Sequence, residues 1–358
     1  MLVDVDASTS IKHFTENDGL SQSLITCITQ DSKGYIWISS WDGLSRYDGY
    51  TFENYKARQG DNCPLVTNRI FFIRETTGGN ILCKCPDGYY LFETSKKKFV
   101  SLKGKKSDSG DRFRPTQQLS ATINSLPQYK GVENHILYKD RQGGYWIYTN
   151  RGLDRLTFER KKVAPTKYSQ EGEEVIRSIF QDKEKRIFIA DKNGFVRIYA
   201  PKGSLIGYLK KNGNISKTRI PFGANVYSML QDSHGILWLG TKPNGLFRLK
   251  ETKDGNFSVK SFTKNASRYS INSNSIYAIK EDRHGRILLG TFMGGLNIIK
   301  NPWSESPQFI NSNNDIGQFP SRAKCIHDML LSPSGTLLLA TNDGLFTCNI
   351  DRNPQKFV

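Results

Sequence analysis

The sequence predicts an all-β fold, namely a seven-bladed β-propeller of four-stranded antiparallel blades. Three observations favour it. A strand–turn–strand motif recurs along the whole chain, each copy holds several short apolar runs broken by Asp and Gly turns, and Phe and Tyr are abundant at 20 and 16 residues. A repeat of this length with several short strands in each unit is typical of a propeller and not of a helical solenoid.

The motif is clearest in three places. Segment 30–44 reads QDSKGYIWISSWDGL and ends in Gly-Leu. Segment 231–241 reads QDSHGILWLGT and 281–291 reads EDRHGRILLGT, with Gly245-Leu246 and Gly295-Leu296 shortly behind them. Aligning all copies on the residue that opens the first turn gives spacings of 44, 65, 42, 50, 50 and 50 residues, so the 65-residue step holds an insertion. The aligned residues are Asp31, Glu75, Asp140, Asp182, Asp232, Asp282 and Ser332.

Each part of the motif has a physical reason. Asp bonds the turn backbone, and Gly takes the positive φ that the turn needs. The strand that follows is apolar almost throughout, as expected where both faces of a sheet are covered. Trp37, Trp146 and Trp238 lie in the middle of this strand, which predicts that they are spacers between blades.

The blades are predicted in chain order near 24–55, 69–101, 134–164, 175–210, 225–262, 275–310 and 323–358. Residues 11–358 then form one propeller, residues 1–10 are an N-terminal extension, and 102–132 is a polar, basic insertion. Residues 11–20 resemble the end of a fourth strand and could close the ring by joining the last blade. The chain end, 354–358, competes for that place, and the sequence leaves the two open.

The weaker copies depart from the motif in definable ways. In blade 2, Cys83 and Cys85 stand where other blades have Trp or Leu, and their spacing predicts two buried thiols on one face of a strand. In blade 3 the last strand is expected to be a short edge near Ala164. In blade 4, Lys185 replaces the turn glycine.

The composition leaves several partners open. A net charge of +17 fits nucleic acid, anionic lipid, an acidic polymer or a dispersed solubilising surface. No apolar run is long enough for a transmembrane helix. The first residues lack the regions of a signal peptide, so an exported form would have lost its signal. The cysteine spacing fits no zinc motif, and we expect no metal and no cofactor.

The repeat, together with the lead-in FTENDGLS at 14–21 and the run DGLSRYDG at 42–49, resembles the two-component regulator propeller repeat. That resemblance implies the periplasmic sensor region of hybrid two-component systems of Bacteroides-type gut bacteria, which detects oligosaccharide breakdown products and regulates polysaccharide utilisation. It also implies partners: an oligosaccharide, with an acidic one as an option, a second propeller and downstream domains of the same receptor, and a second copy in a homodimer. No kinase segment lies in this sequence, so the chain is expected to be non-catalytic.

The candidate ligand face is the one that carries the loops between the second and third strands of each blade. Aromatic residues there could stack on sugar rings, and cationic ones could pair with carboxylate or sulfate. For each residue the alternative is an ordinary polar loop tip. The predicted ligand-binding residues are Trp41, Asp42, Asn150, Arg151, Lys192, Lys242, Phe292 and Asn342.

Other functions remain as alternatives. The propeller could be a scaffold with the ligand site elsewhere in the receptor, or a polysaccharide lyase or glycosidase. Against catalysis, the motif aspartates occur once per blade and act as turn formers, and no unlike titratable groups gather at one mouth. His234 and His284 share one turn position, which reflects repeat symmetry. Without a helix-turn-helix, direct binding of nucleic acid is not expected.

Overall fold

The computed structural model describes residues 11–58, 62–76, 78–102, 134–139, 145–149, 152–159, 162–167, 176–201, 203–314, 319–332 and 335–350, with 134–167 described as backbone strands. The described strands form seven antiparallel sheets, six of four strands and one of five. The predicted all-β fold is confirmed. A single 3-10 turn, Glu16–Asp18, is the helical element of this part of the chain. No helix among these residues has the length and apolar character needed to cross a membrane.

The sheets are numbered as blades 1 to 7 in chain order. Blade 1 holds β2 Ile25–Gln30, β3 Ile36–Ser40, β4 Gly43–Tyr47 and β5 Phe52–Tyr55. Blade 2 holds β6 Phe72–Glu75, β7 Ile81–Cys85, β8 Gly88–Glu93 and β9 Lys98–Ser101. Blade 3 holds β10 Asn134–Lys139, β11 Tyr145–Thr149, β12 Gly152–Glu159 and β13 Lys162–Lys167. Blade 4 holds β14 Ile176–Gln181, β15 Ile187–Asp191, β16 Val196–Tyr199, β17 Leu205–Leu209 and β18 Ile215–Ser216.

The remaining blades follow the same plan. Blade 5 holds β19 Asn225–Gln231, β20 Leu237–Lys242, β21 Leu246–Glu251 and β22 Phe257–Phe262. Blade 6 holds β23 Ile276–Glu281, β24 Ile287–Thr291, β25 Gly295–Lys300 and β26 Gln308–Ile310. Blade 7 holds β27 Ile326–Leu331, β28 Thr336–Thr341, β29 Gly344–Asn349 and β1 Lys12–Phe14.

The first strand of each blade is the innermost one. First strands of successive blades contact each other, namely β14 with β19, β19 with β23, β23 with β27, β27 with β2 and β2 with β6. The apolar core is divided accordingly into clusters that each join two neighbouring blades. Trp238 of blade 5, for example, packs with Ile276 and Ile287 of blade 6. Blades that bury their faces against each other in this way gain stability only as an array.

The N-terminal strand closes the ring. β1 pairs with β29 in antiparallel register, Lys12 opposite Thr347 and Phe14 opposite Leu345, and so supplies the outermost strand of blade 7. Gly344 permits this approach because its φ is 102° and a Cβ there would clash with the carbonyl oxygen of Phe14. The sequence left this choice open between residues 11–20 and the chain end at 354–358, which lies outside the described part.

The Asp of the motif organises both the turn and the strand behind it. In blade 1, Asp31 Oδ1 accepts hydrogen bonds from the backbone N–H groups of Lys33 and Tyr35, each at 2.9 Å. Its Oδ2 accepts the indole N–H of Trp37 at 2.7 Å. Trp37 is 1% exposed, so the predicted spacer between blades is buried and its polar atom is satisfied.

The second carboxylate oxygen finds its donor in two ways. In blade 5, Trp238 Nε1 donates to Asp232 Oδ2 at 2.9 Å, as in blade 1. In blade 6 the tryptophan position holds Leu288, and Arg286 Nε donates instead to Asp282 Oδ2 at 2.5 Å. Blade 4 has the same arrangement as blade 6, because Arg186 Nε donates to Asp182 Oδ2 at 2.6 Å. The motif therefore has a tryptophan form and an arginine form.

Blade 2 corrects the alignment made from sequence. Thr76, not Glu75, occupies the turn position. Its N–H donates to the carbonyl of Asn80, and its own carbonyl accepts from the N–H of Gly79. Asp31 makes the same two backbone bonds in blade 1, with Tyr35 and Gly34. Glu75 belongs to the preceding strand and reaches back to blade 1. Its carboxylate accepts the Ser32 N–H at 2.9 Å and the Ser32 hydroxyl at 2.6 Å. An acidic residue beside the turn position misled the alignment.

Several details of the weaker blades also become clear. Lys185 replaces the turn glycine at φ 65°, a left-handed backbone conformation. Blade 4 has a fifth strand, β18, that was not predicted, and blade 3 ends in the six-residue β13 where a short edge was expected. Cys83 and Cys85 are buried in one apolar cluster, as predicted. The predicted insertion at 102–132 lies, apart from Leu102, outside the described residues.

Candidate functional site

A β-bulge recurs at the same place in the inner strands of blades 1, 4, 5, 6 and 7. The pairing register shifts where each of these strands begins, and one residue of the inner strand is left without a direct partner. Bulges re-aim a side chain and are frequent at the rims of barrels and beside functional sites. The bulged residues are Thr26, Arg177, Tyr227, Tyr277 and His327.

The bulges lie at the end of the inner strands that faces the loops between second and third strands. They therefore place one side chain per blade at that mouth of the ring. Four of these side chains touch in sequence. The Arg177 guanidinium carbon lies 5.3 Å from the centre of the Tyr227 ring, the Tyr227 and Tyr277 rings are 5.2 Å apart, and the Tyr277 and His327 rings are 5.9 Å apart. We call Arg177, Tyr227, Tyr277 and His327 the aromatic arc.

Three of the residues predicted from sequence join this arc. Lys242 Nζ donates to Tyr277 Oη at 3.0 Å and lies 5.2 Å from the centre of the Phe292 ring. Phe292 is 37% exposed, and its ring is 5.9 Å from that of Tyr277. Asn342 Oδ1 is 2.5 Å from His327 Nε2. Loops of blades 5, 6 and 7 thus surround inner-strand residues of blades 6 and 7.

Lys242 is a protonated lysine in this setting. The hydrogen bond to Tyr277 is the largest influence and raises the pKa of Lys242, while the charge of Arg177 opposes it. Within the part of the chain that the structure describes, no carboxylate pairs with Lys242 or Arg177. The arc is therefore a cationic and aromatic surface at one mouth of the ring.

Trp41 and Asp42 lie in a different cluster. The Asp42 carboxylate is held by Lys56 Nζ at 2.5 Å and by Asn68 Nδ2 at 3.0 Å. Arg69 covers the Trp41 ring, with its guanidinium carbon 4.4 Å from the ring centre. Trp41 nevertheless remains 41% exposed. In blade 1, therefore, the acidic loop residue is already paired with a lysine within the protein.

The other candidates do not join either cluster. Lys192 is exposed, and no hydrogen bond or ring contact links it to the arc within the described residues. Asn150 and Arg151 lie outside the residues that the structure describes. Among those it does describe, no three His, Cys, Asp or Glu side chains are grouped as a metal site would require.

Sequence analysis missed four of the residues that build the arc. It concentrated on loop tips, whereas Arg177, Tyr227, Tyr277 and His327 lie on strands. A signal was present, because each of these residues stands five positions before the turn residue of its blade. What the sequence could not show was the bulge, which turns this position from the packed faces of the blade to the mouth.

These features define the class of protein: a β-propeller with a polar and aromatic mouth. The family model described as two component regulator propeller matches residues 19–42, 221–242 and 270–293. These three segments match that family of propeller repeats, in agreement with the resemblance that the motif indicated. The matched segments are the lead-in and first two strands of blades 1, 5 and 6, where the motif is clearest.

Known proteins share the repeat or the fold. Over 54 residues, which are 15% of this chain and 4% of the relative, the chain is 43% identical to histidine kinase P4 of Formosa agariphila. The extracellular domain assigned to the hybrid two component system BT3049 of B. thetaiotaomicron superimposes with a TM-score of 0.63 at 18% identity, over 95% of this chain and 42% of that one. A streptogramin B lyase superimposes with a TM-score of 0.61 at 14% identity, over 96% and 98%. The two structural likenesses are at the level of the fold, and the chain spans well under half of the first two proteins.

Proposed function

We propose that this chain is a periplasmic, ligand-sensing propeller module of a hybrid two-component sensor. In this proposal it binds an oligosaccharide released from a polysaccharide, and the sensor then regulates polysaccharide utilisation. The family of its repeats and the likeness of its fold to an extracellular sensor domain support the setting. The observation that carries ligand binding is the aromatic arc with Lys242 and Phe292, because exposed rings and unpaired donors are the groups with which proteins hold sugars.

The module itself would be non-catalytic. Acid–base catalysis needs titratable groups of different character placed on the reacting atoms. The arc as defined holds a single imidazole, that of His327, and its Nε2 is bound to Asn342 Oδ1. The streptogramin B lyase shares the fold at 14% identity, which carries no activity to this chain. Release of product from an acidic polysaccharide by the purified chain would contradict this part of the proposal.

A scaffold role is the second candidate. It is favoured by the fact that this chain covers 42% of the extracellular domain it resembles. Such a length leaves room for a further propeller, so the ligand could bind elsewhere in the receptor or between two copies in a dimer. The module would then associate with a neighbouring propeller or a second copy and bind no sugar alone.

A thermal-shift screen separates these candidates. The chain is heated with neutral and acidic oligosaccharides at low and moderate salt. A ligand at one hundred times its dissociation constant adds about 2.7 kcal/mol of stability, which raises the melting temperature by several degrees. Tyr277→Ala, in the centre of the arc, should abolish the shift relative to its own ligand-free protein. Tyr50→Ala, at a turn residue that is 92% exposed on blade 1, is the matched control and should retain it.

The screen also defines failure. If no oligosaccharide shifts the wild-type chain, sugar binding by this module is wrong and the scaffold role stands. If Tyr277→Ala and Tyr50→Ala respond equally, the chain binds sugar at another surface.

A further inference from the structure

Among the residues that the structure describes, the ammonium group of Lys242 is held in place without a carboxylate partner. A lysine ammonium has three donors, and Tyr277 Oη takes one of them at 3.0 Å. The side chain is half-buried and lies between two rings, 5.6 Å from the centre of Tyr277 and 5.2 Å from that of Phe292. Its position is therefore fixed before any ligand arrives.

Blade 1 shows what the same loop does when the charge is neutralised internally. There the loop carries the acidic Asp42. Its Oδ2 accepts from Lys56 Nζ and its Oδ1 from Asn68 Nδ2, so both carboxylate oxygens are hydrogen-bonded. At Lys242 the loop carries the cation and the described residues offer no acid in return. On blade 7 the acidic Asp343 is likewise occupied, because Arg322 binds its two oxygens at 2.7 and 3.0 Å.

The surroundings of Lys242 fit a sugar ring. Phe292 beside it is 37% exposed and presents an apolar ring next to the charge, and the following residue, Met293, is 63% exposed. The negative face of an aromatic ring attracts the polarised C–H groups of a pyranose. On the far side of Tyr277, Asn342 is exposed and uses its Oδ1 for His327, so its Nδ2 remains a donor for a hydroxyl group.

We propose that Lys242, Phe292 and Tyr277 form a subsite for an anionic pyranose unit, with the carboxylate of a uronic acid at the ammonium group and the ring face on Phe292. Asn342 donates to a hydroxyl of the neighbouring unit, and Arg177 adds a second positive charge along the arc. This inference deepens the proposed function and rests on it, because it names the class of oligosaccharide that the mouth accepts. A sulfate ester presents the same charge, and the experiment distinguishes the two anions.

Calorimetric titration of the intact chain tests the subsite. The probes are trigalacturonate, a sulfated disaccharide and galactotriose, the neutral counterpart of the first. Lys242→Met keeps the aliphatic stem and removes the charge, and Lys242→Arg retains the charge. Lys250→Met is the matched control, since Lys250 is an exposed residue of β21.

We expect an anionic probe to bind at least tenfold more tightly than galactotriose. Loss of a hydrogen bond to a charged group corresponds to about a tenfold to hundredfold weakening, so Lys242→Met should weaken binding by that factor. Lys242→Arg should retain most of the affinity, and Lys250→Met should match the wild type. Whichever anionic probe binds more tightly identifies carboxylate or sulfate as the recognised group.

Each contrary result has a defined meaning. Equal affinity of Lys242→Met and Lys250→Met for the anionic probe overturns the subsite. Binding of galactotriose or another neutral sugar without the anionic probes overturns the anionic preference and leaves the proposed function intact. Binding of no sugar in either experiment overturns both.

Discussion

Exchanging the carboxylate partner in blade 5 should convert the tryptophan form of the motif into the arginine form. Asp232 is 1% exposed and Trp238 is fully buried. Trp238→Leu leaves a buried carboxylate oxygen without its donor, which costs about 1.5–3 kcal/mol. The smaller side chain adds roughly 2–4 kcal/mol for lost contacts and the cavity. Adding Ile236→Arg reproduces the pair Arg286 and Leu288 of blade 6, and should recover the first of these contributions.

Full recovery is not expected. In blade 6 the Arg286 guanidinium also donates to the carbonyl of Ile350 in blade 7, at 3.3 Å. Ile236 is nevertheless buried to the same degree as Arg286, at 8% and 7% exposed, so the position accepts a side chain turned toward Asp232.

Denaturant unfolding of the wild type, both single variants and the double variant gives the coupling between positions 236 and 238. This coupling free energy should be about 1.5–3 kcal/mol in favour of the double variant, because the introduced arginine restores one hydrogen bond to the buried carboxylate. Fluorescence and circular dichroism must give coincident transitions, because a free energy is defined only for two-state unfolding. Trp303→Leu, at a tryptophan that is 47% exposed, is the control and should change stability by under about 1 kcal/mol. A coupling within about 0.5 kcal/mol of zero would refute the idea that arginine replaces tryptophan at this carboxylate.

Three further predictions concern ring closure, the thiols and acid stability. Gly344→Ala should destabilise the fold by about 1–3 kcal/mol, since φ is 102° there and the new methyl group would press on Phe14, and an unchanged melting temperature would contradict that account of closure. In the native protein at pH 8, half-buried Cys63 should react with iodoacetamide well before Cys348, because burial raises the pKa of the Cys348 thiol to about 12. Equal labelling rates by mass spectrometry would contradict this. Hydrogen bonds from Thr252 and Asn256 lower the pKa of Asp254 from 3.8 to about 2. The contribution of the ionised Asp254 to stability is therefore present above pH 4 and is lost as pH falls toward 2. A carboxyl titration by NMR with a midpoint near 4 would show that these bonds do not form in solution.

Most of the fold follows from the repeat in the sequence. The Asp–Gly turns, the apolar second strands and the buried Trp37 and Trp238 are each dictated by local chemistry, and the structure has them where they were predicted. The alignment made from the sequence was wrong in blade 2, where two neighbouring residues are both candidates for the turn position. Glu75 was chosen for the turn because it is acidic, whereas the smaller Thr76 occupies the turn and Glu75 bonds to blade 1.

The candidate site was predictable only in part. Lys242, Phe292 and Asn342 follow the second strands of their blades and could be found from repeat position alone. Tyr277 and His327 share a repeat position too, five residues before the turn, but that position alone could not show that their side chains reach the mouth. Strand side chains normally alternate between two packed faces, and only the bulge turns these two to the mouth. Likewise, the repeat does not specify that Arg69 covers the Trp41 ring.

Closure of the ring by β1 sets an order of events during synthesis. His13 and its partner Asp343 are 330 residues apart in the chain. At about 5–20 residues per second, the first strand leaves the ribosome on the order of half a minute before blade 7 is complete. Until then it is an unpaired edge, and blade 7 lacks its outer strand. Unpaired strand edges are templates for other chains, and pairing residues 330 positions apart is a long-range contact of the kind that slows folding.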